Sequence, residues 1–344
     1  MSDNKERYSI LAPLSEDESY NFAIELINFF NPINTSLYRK GKKIEPYEVT
    51  IYPLSLGDFM NYLKEEKGME GMKYTASILK LIHKLEKEEM ISRVTSSDRG
   101  SPPFSNTYYS LLETTELQKK YPSFFMGKVL GMSYLRKIYE RYIVRIEGEY
   151  CDSKSATGSG ILINNNTILT CGHNISDIKN VRCFSREDEL KIVNMNRDQK
   201  HDIGIIKIEK INNITIFPYF GMPRVLDRTL TLGYPPFRGM REAPLIAQTG
   251  EINAIAHDWQ GAENITISSI TRPGNSGGPV ISKEGYIVGI VVSAADEVES
   301  ISSEKDVEKS KSTIPFYNAI SSNEIINILK DMDDELKIVF EDYK

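Results

Sequence analysis

The chain has 344 residues, 40% of them hydrophobic and 26% charged, with a formal net charge of −6. That composition is globular, and the length suits two domains. No run reaches the roughly 18 apolar residues of a membrane span. The start, Met1 to Arg7, lacks an apolar signal core. Three cysteines (Cys151, Cys171, Cys183), with no Cys-x-x-Cys pair, point to reduced thiols in a cytosol and to no metal site.

Residues 18–30 carry a helical period. A basic turn follows at Arg39-Lys40-Gly41-Lys42-Lys43, then a short helix over 56–64. A longer helix spans 74–90, with Ile78, Leu79, Leu81, Ile82, Leu85 and Met90 as its apolar stripe. Two strands come next, 91–95 and 107–112, around a polar turn with Gly100 and two prolines. Helix, helix, strand, turn, strand resembles a winged-helix module over residues 1–115. Residues 1–149 are balanced in charge, so the net −6 falls in the remainder. Phosphate contacts need clustered positive charge, and the long helix is mixed. The module is therefore expected to bind a regulatory protein or to dimerise; binding DNA is the less favoured alternative. Residues 116–137 read as a helical connector, interrupted near Pro122, leading to a strand at 142–146.

Three segments then carry chemistry. The first runs Gly158-Ser159-Gly160-Ile161-Leu162-Ile163, an Asn-rich turn, and Thr167-Ile168-Leu169-Thr170-Cys171-Gly172-His173-Asn174: two strands, with a histidine as the second ends. The second is His201-Asp202-Ile203-Gly204-Ile205-Ile206-Lys207-Ile208, an aspartate opening an alternating apolar strand. The third is Thr271-Arg272-Pro273-Gly274-Asn275-Ser276-Gly277-Gly278-Pro279-Val280. A serine among glycines leaves its hydroxyl exposed and lets backbone N–H groups converge beside it. The order is His173, Asp202, Ser276, unlike Asp-His-Ser or Ser-acid-His, and no Gly-x-Ser-x-Gly elbow is present.

These segments, with Gly285-Tyr286-Ile287-Val288-Gly289-Ile290 and Ile314-Pro315 before a final helix near 323–330, resemble the trypsin-like serine peptidases. The match is closest to their bacterial branch of HtrA-type and glutamyl endopeptidases, over about residues 138–330. The resemblance implies a mostly β domain at 138–335, two six-stranded antiparallel β-barrels, beside the α+β, mainly helical N-terminal domain. It implies peptide-bond hydrolysis without a cofactor: Ser276 as nucleophile, His173 as base, Asp202 orienting the imidazole, and the Gly274 and Ser276 N–H groups as the oxyanion hole. The substrate pocket maps to Ile270, Thr271, Val291, Val292 and Ser293. Ile270 stands where trypsin has an aspartate, and valines stand where glutamate-cutting relatives have a histidine. A small or medium apolar side chain is expected before the cleaved bond. Asn275 carries no charge to pair with a new amino terminus, so regulation is expected from a partner or from loop ordering.

The bland alternatives are few. Of four histidines, His83 reads as a helix-surface residue and His257 as a surface loop residue. His201 adjoins Asp202, so its side chain points to the opposite face. Asp177 and Asp258 are the other acids. A charged segment, 296–312, either gates the site or is a solvated insertion. An inactive scaffold with this fold, or a DNA-bound regulator that cleaves a protein, are the competing functions; a bacterial signalling or defence role rests on architecture alone.

Overall fold

A computed structural model describes residues 14–32, 53–69, 71–96, 100–110, 119–236, 239, 243–294 and 316–341. The basic turn at 39–43, the segment 296–312 and Ile314-Pro315 lie outside them. The chain divides into two compact units, Met1–Leu130 and Gly131–Lys344.

In the first unit, α1 (Glu16–Phe30) opens on a capping box. The Ser15 hydroxyl accepts the Glu18 N–H, and the Glu18 carboxylate accepts the Ser15 N–H. After β1 (Leu54–Ser55), α2 (Leu56–Lys67) begins the same way with Ser55 and Asp58. It ends on Gly68 at φ 63, the left-handed stop that glycine permits. The long helix, α3 (Thr75–Lys87), buries Ile78, Leu81, Ile82 and Leu85, a spacing that sets one apolar stripe inward. Each such side chain contributes roughly 1.5–3 kcal/mol. It meets Leu26, Phe29, Phe30 and Phe59 in one core, where the Phe29 and Phe59 rings lie 5.1 Å apart. Strands β2 (Ser92–Ser96) and β3 (Asn106–Tyr109) pair antiparallel, and β1 adds to β3, giving the order β1-β3-β2. The two-residue β1 was too short to show a period in the sequence. Residues 116–137 hold α4 (Pro122–Phe125), α5 (Gly127–Leu130) and most of α6 (Met132–Tyr139), so the unit boundary falls inside them.

The second unit contains two sheets. The first is built from β4 (Ile143–Glu149), β5 (Ser155–Leu162) and β6 (Thr167–Thr170). Past α7 (His173–Ser176) come β7 (Lys179–Ser185), β8 (Asp188–Leu190), β9 (Ile192–Arg197) and β10 (Gly204–Ile208). Its order is β8-β7-β4-β5-β6-β10-β9. The second uses β11 (Phe220–Gly221), β12 (Arg228–Gly233), β13 (Ile246–His257), β14 (Glu263–Ile267), β15 (Pro279–Ser282), β16 (Ile287–Ala294), β17 (Tyr317–Ser321) and, beyond α8 (Ser322–Met332), β18 (Phe340–Glu341).

Strands β15-β12-β13-β14-β17-β16 pair in series, and a β15–β16 pairing closes the ring into a six-stranded barrel. Closure removes the sheet edges. This is a chymotrypsin-like double-barrel arrangement with one barrel closed. The expected pair of six-stranded antiparallel barrels needs two refinements. The first sheet has seven segments and stays a half-barrel, because β8 and β9 follow each other across Lys191 without pairing together. The closed barrel also carries β11 and β18 as parallel two-residue additions.

Candidate active site

The pairing of β6 with β10 sets Thr170 opposite Gly204. Just beyond that rung, one chain turns into α7 and the other enters β10. His173 is the first residue of α7, and Asp202 lies in the turn before β10; the strand proper opens at Gly204, two residues later than the sequence suggested. Three consecutive residues, Gly204 to Ile206, are buried, so β10 packs on both faces and does not alternate. The register therefore delivers His173 and Asp202 to each other. The His173 Nδ1 lies 2.7 Å from Asp202 Oδ2, and the His173 N–H donates to Oδ1 at 2.9 Å. With Nδ1 facing the carboxylate, Nε2 is the ring nitrogen that this pair leaves unengaged.

The electrostatics follow from that pair. Burial pulls the His173 imidazole down, but the hydrogen bond and charge of Asp202, helped by Asp177, outweigh it and hold it above the ordinary histidine value. Burial pushes the Asp202 carboxyl up, and the His173 contacts more than offset this, leaving it below the usual carboxylate range. Side-chain exposures of 34% and 36% keep the pair reachable from solvent.

Ser276 comes from the closed barrel, on the turn before β15. Arg272, Pro273, Gly274 and Asn275 form a four-residue turn, with the Asn275 N–H donating to the Arg272 carbonyl at 2.9 Å. Proline second and a glycine at φ 98 third match a type II turn. A Cβ on Gly274 would lie 2.8 Å from the Tyr234 oxygen and from both Pro235 and Pro236, so only glycine fits. The N–H groups of Gly277 and Gly278 donate to Val291 and Asn275. Among the described residues, those of Gly274 and Ser276 have no acceptor, which leaves two donors beside the serine. The Ser276 hydroxyl donates to the Val292 carbonyl at 2.8 Å, and no hydrogen bond joins it to His173 among the described residues.

The proposed pocket residues are spread over two segments. Thr271 and Val291 are buried, Val292 is half-buried, Ile270 is half exposed at 51%, and Ser293 lies on β16. The competing histidines are elsewhere. His201 is held by Asp198, Nδ1 to Oδ2 at 3.1 Å. His83 is exposed on α3, and His257 is the exposed last residue of β13, so it ends a strand and not a loop. Asp177 closes α7 and bonds Ser176; Asp258 accepts three N–H···O bonds in the β13–β14 hairpin.

Cys171, His173 and Asp202 place potential metal-ligand atoms within 4.8 Å of one another. Those atoms are already engaged. The histidine and the aspartate bond each other, and the Cys171 thiol contacts the Val291 carbonyl oxygen at 3.1 Å. Burial, followed by the Asp202 charge, pushes that thiol well above its ordinary pKa, which disfavours the thiolate a metal needs.

Sequence reasoning missed a layer beneath these residues. Ser159, Thr170 and Asn174 are buried polar side chains in a hydrogen-bonded cluster that reaches Gly274 and Ser276. For Ser159 and Thr170 a signal was available, since each is a polar residue whose immediate neighbours are apolar or glycine; Asn174 lies between His173 and Ile175 and gave none.

Residues 158–290 match the family described as trypsin-like peptidase domain. Over 189 residues the chain is 24% identical to Protease Do-like 2, chloroplastic, of Arabidopsis thaliana, covering 51% of this chain and 31% of that protein. The chain thus spans about a third of that relative's length. Among solved structures, the active form of the Rv3671c protease from M. tuberculosis is 19% identical, covering 57% of this chain and 82% of that one at a TM-score of 0.44. The HtrA-type protease AlgW with a tripeptide is 18% identical, covering 58% and 63% at a TM-score of 0.46.

Proposed function

We propose that this chain, which carries a trypsin-like peptidase domain over residues 158–290, is a serine endopeptidase that cleaves protein substrates through an acyl-enzyme on Ser276. The observation that carries the reading is the 2.7 Å His173–Asp202 pair together with the N–H groups of Gly274 and of Ser276 itself, which have no acceptor among the described residues. The Ser276 hydroxyl leaves the Val292 carbonyl by rotating about its Cα–Cβ bond and gives its proton to His173 Nε2 as it attacks the scissile carbonyl. The Gly274 and Ser276 N–H groups receive the oxyanion. The imidazolium, stabilised by Asp202, returns the proton to the leaving amine, and water then releases the acyl group by the same steps. No cofactor enters this sequence. A small or medium apolar side chain would precede the cleaved bond, because Ile270 offers no charge.

Residues 1–115 would act as a winged-helix-like module, and residues 138–335 as the peptidase. The β1-β3-β2 sheet behind three helices supports the first assignment. Its partner would be a regulatory protein, in a bacterial signalling or defence setting and in a reducing, cytoplasmic compartment. All three cysteines are free thiols, and no helix among the described residues is long and apolar enough to cross a membrane. A second reading, a DNA-bound regulator, draws on one observation. Lys73, Lys80, Lys84 and Lys87 are all exposed along the α3 side of that module. A mobility-shift assay on the full chain decides it; binding that does not weaken with salt, or no binding, would sink it.

Labelling of the purified chain with a fluorophosphonate probe, beside Ser276→Ala and His173→Ala, tests the main reading. Labelling of the wild type that vanishes in both variants is expected. A folded wild type that does not label, alone or with cell extract supplying partners, favours the inactive scaffold.

A further inference from the structure

We propose that Asn174 is a positioning residue that ties the nucleophile's backbone to the turn carrying the base. The inference rests on the reading of Ser276 as nucleophile.

His173 and Ser276 belong to different sheets, so their spacing depends on what joins the sheets beside them. Asn174 follows His173 on α7 and is 2% exposed. Its Nδ2 donates to the Ser276 carbonyl at 2.9 Å and to the Thr170 hydroxyl at 2.9 Å. A side-chain amide has two such hydrogens, and both are used. The Ser276 carbonyl takes its second bond from the Ser159 N–H, also at 2.9 Å. Both lone pairs are thereby held by the first sheet and its helix. Fixing that carbonyl fixes the plane of the peptide after Ser276, and with it the direction in which the Ser276 side chain leaves the backbone.

The donor directions around Asn174 are consistent throughout. The Thr170 hydroxyl accepts from Asn174 and donates to the Ser159 carbonyl at 2.6 Å. The Ser159 hydroxyl accepts the Tyr234 N–H at 2.8 Å and donates to the Gly274 carbonyl at 2.6 Å. A buried hydrogen-bonded network with consistent donor directions favours one arrangement. The chain also leaves room for it. A Cβ on Gly158 would fall 2.5–2.6 Å from the carboxamide atoms of Asn174, so the glycine keeps the slot open. The same backbone carbonyl, that of Ser159, would lie 2.2 Å from a Cβ on Gly277, so the nucleophile turn fits against this cluster without slack.

Asn174→Leu keeps the volume and removes both donors, while the Ser276 carbonyl keeps the Ser159 N–H. Gly158→Ala displaces the amide from the other side without changing it. The test is the rate of fluorophosphonate labelling on the full chain, resolved into its maximal rate and its half-saturating concentration, across pH and beside the melting temperature. A displacement near 1 Å at a reacting group costs on the order of 100-fold. The expected result is a maximal rate about 100-fold lower in Asn174→Leu, Asn174→Ser and Gly158→Ala. The half-saturating concentration and the acid limb of the pH profile stay unchanged, because the His173–Asp202 pair is intact. The double variant Gly158→Ala/Asn174→Ser should be no slower than the slower single.

Folded variants that label as fast as wild type overturn the inference, as does a loss that follows the melting temperature and vanishes on cooling. Losses that multiply in the double variant also overturn it. Wild-type chain that labels at another residue removes the nucleophile reading and this inference together, an outcome distinct from wild-type labelling with unaffected variants.

Discussion

The half-barrel and the closed barrel of the second unit contribute to the site in different ways. The half-barrel supplies side-chain chemistry: an imidazole and a carboxylate that perturb each other over 2.7 Å. The closed barrel supplies backbone: a type II turn, a serine, and two N–H groups that have no acceptor among the described residues. The His173–Asp202 pair carries its own geometry through two hydrogen bonds, whereas the direction of the two N–H groups is set by the turn that bears them. That turn lies in the half with ring closure, at a glycine whose φ of 98 and neighbours at 2.8 Å exclude a Cβ.

That contrast can be broken first at the serine. Ser276→Ala should lower turnover of a peptide substrate by about 10⁶-fold, the usual cost of losing the nucleophile, with labelling absent. Asp202→Asn should cost about 10⁴-fold through the wrong imidazole tautomer. It should also move the acid limb of labelling. With His173 as the proposed base, activity should need its neutral form and so appear as pH rises through a pKa held above the ordinary value. Removing the Asp202 charge lowers that pKa, and the limb shifts to lower pH; an unmoved limb would mean another group sets it. Gly274→Ala should cost about 10²–10³-fold in kcat. A left-handed φ and contacts at 2.8 Å force the turn to shift, while the acid limb stays in place. Smallest of all, Cys171→Ser should change labelling by less than about 10-fold. The hydroxyl can replace the thiol toward the Val291 carbonyl, so a total loss would show that the cysteine takes part in the chemistry.

In the first unit the helices were legible, and their limits moved by a few residues. Capping boxes at Ser15 and Ser55 and a glycine stop at Gly68 account for α1 and α2 starting or ending where they do. The stripe on α3 was read correctly except for Leu79, which is only half-buried, and Met90, which is buried but lies beyond the helix end at Lys87. Strand β1 was invisible, since two residues cannot display a period of two. In the second unit, the motifs marked His173, Asp202 and Ser276 as candidates; His257 is exposed as expected, but it ends β13 and does not lie in the loop, because a hairpin tip and the end of its strand read alike in sequence.

The amino-acid order by itself marked the longer helices, most of their apolar faces, and the candidates for acid–base and nucleophilic work. Periodicity, glycine placement and motif order are local properties of a chain, so one sequence displays them. Only the tertiary structure decided that one barrel closes and the other does not, since closure depends on a pairing between β15 and β16. Only the fold set the 2.7 Å separation of two residues 29 positions apart, through the register of β6 on β10. The bond from Asn174 to a carbonyl 102 positions away is likewise a product of packing. Hydrogen bonds between buried polar groups leave no periodic trace, because each depends on a partner that distance along the chain does not predict.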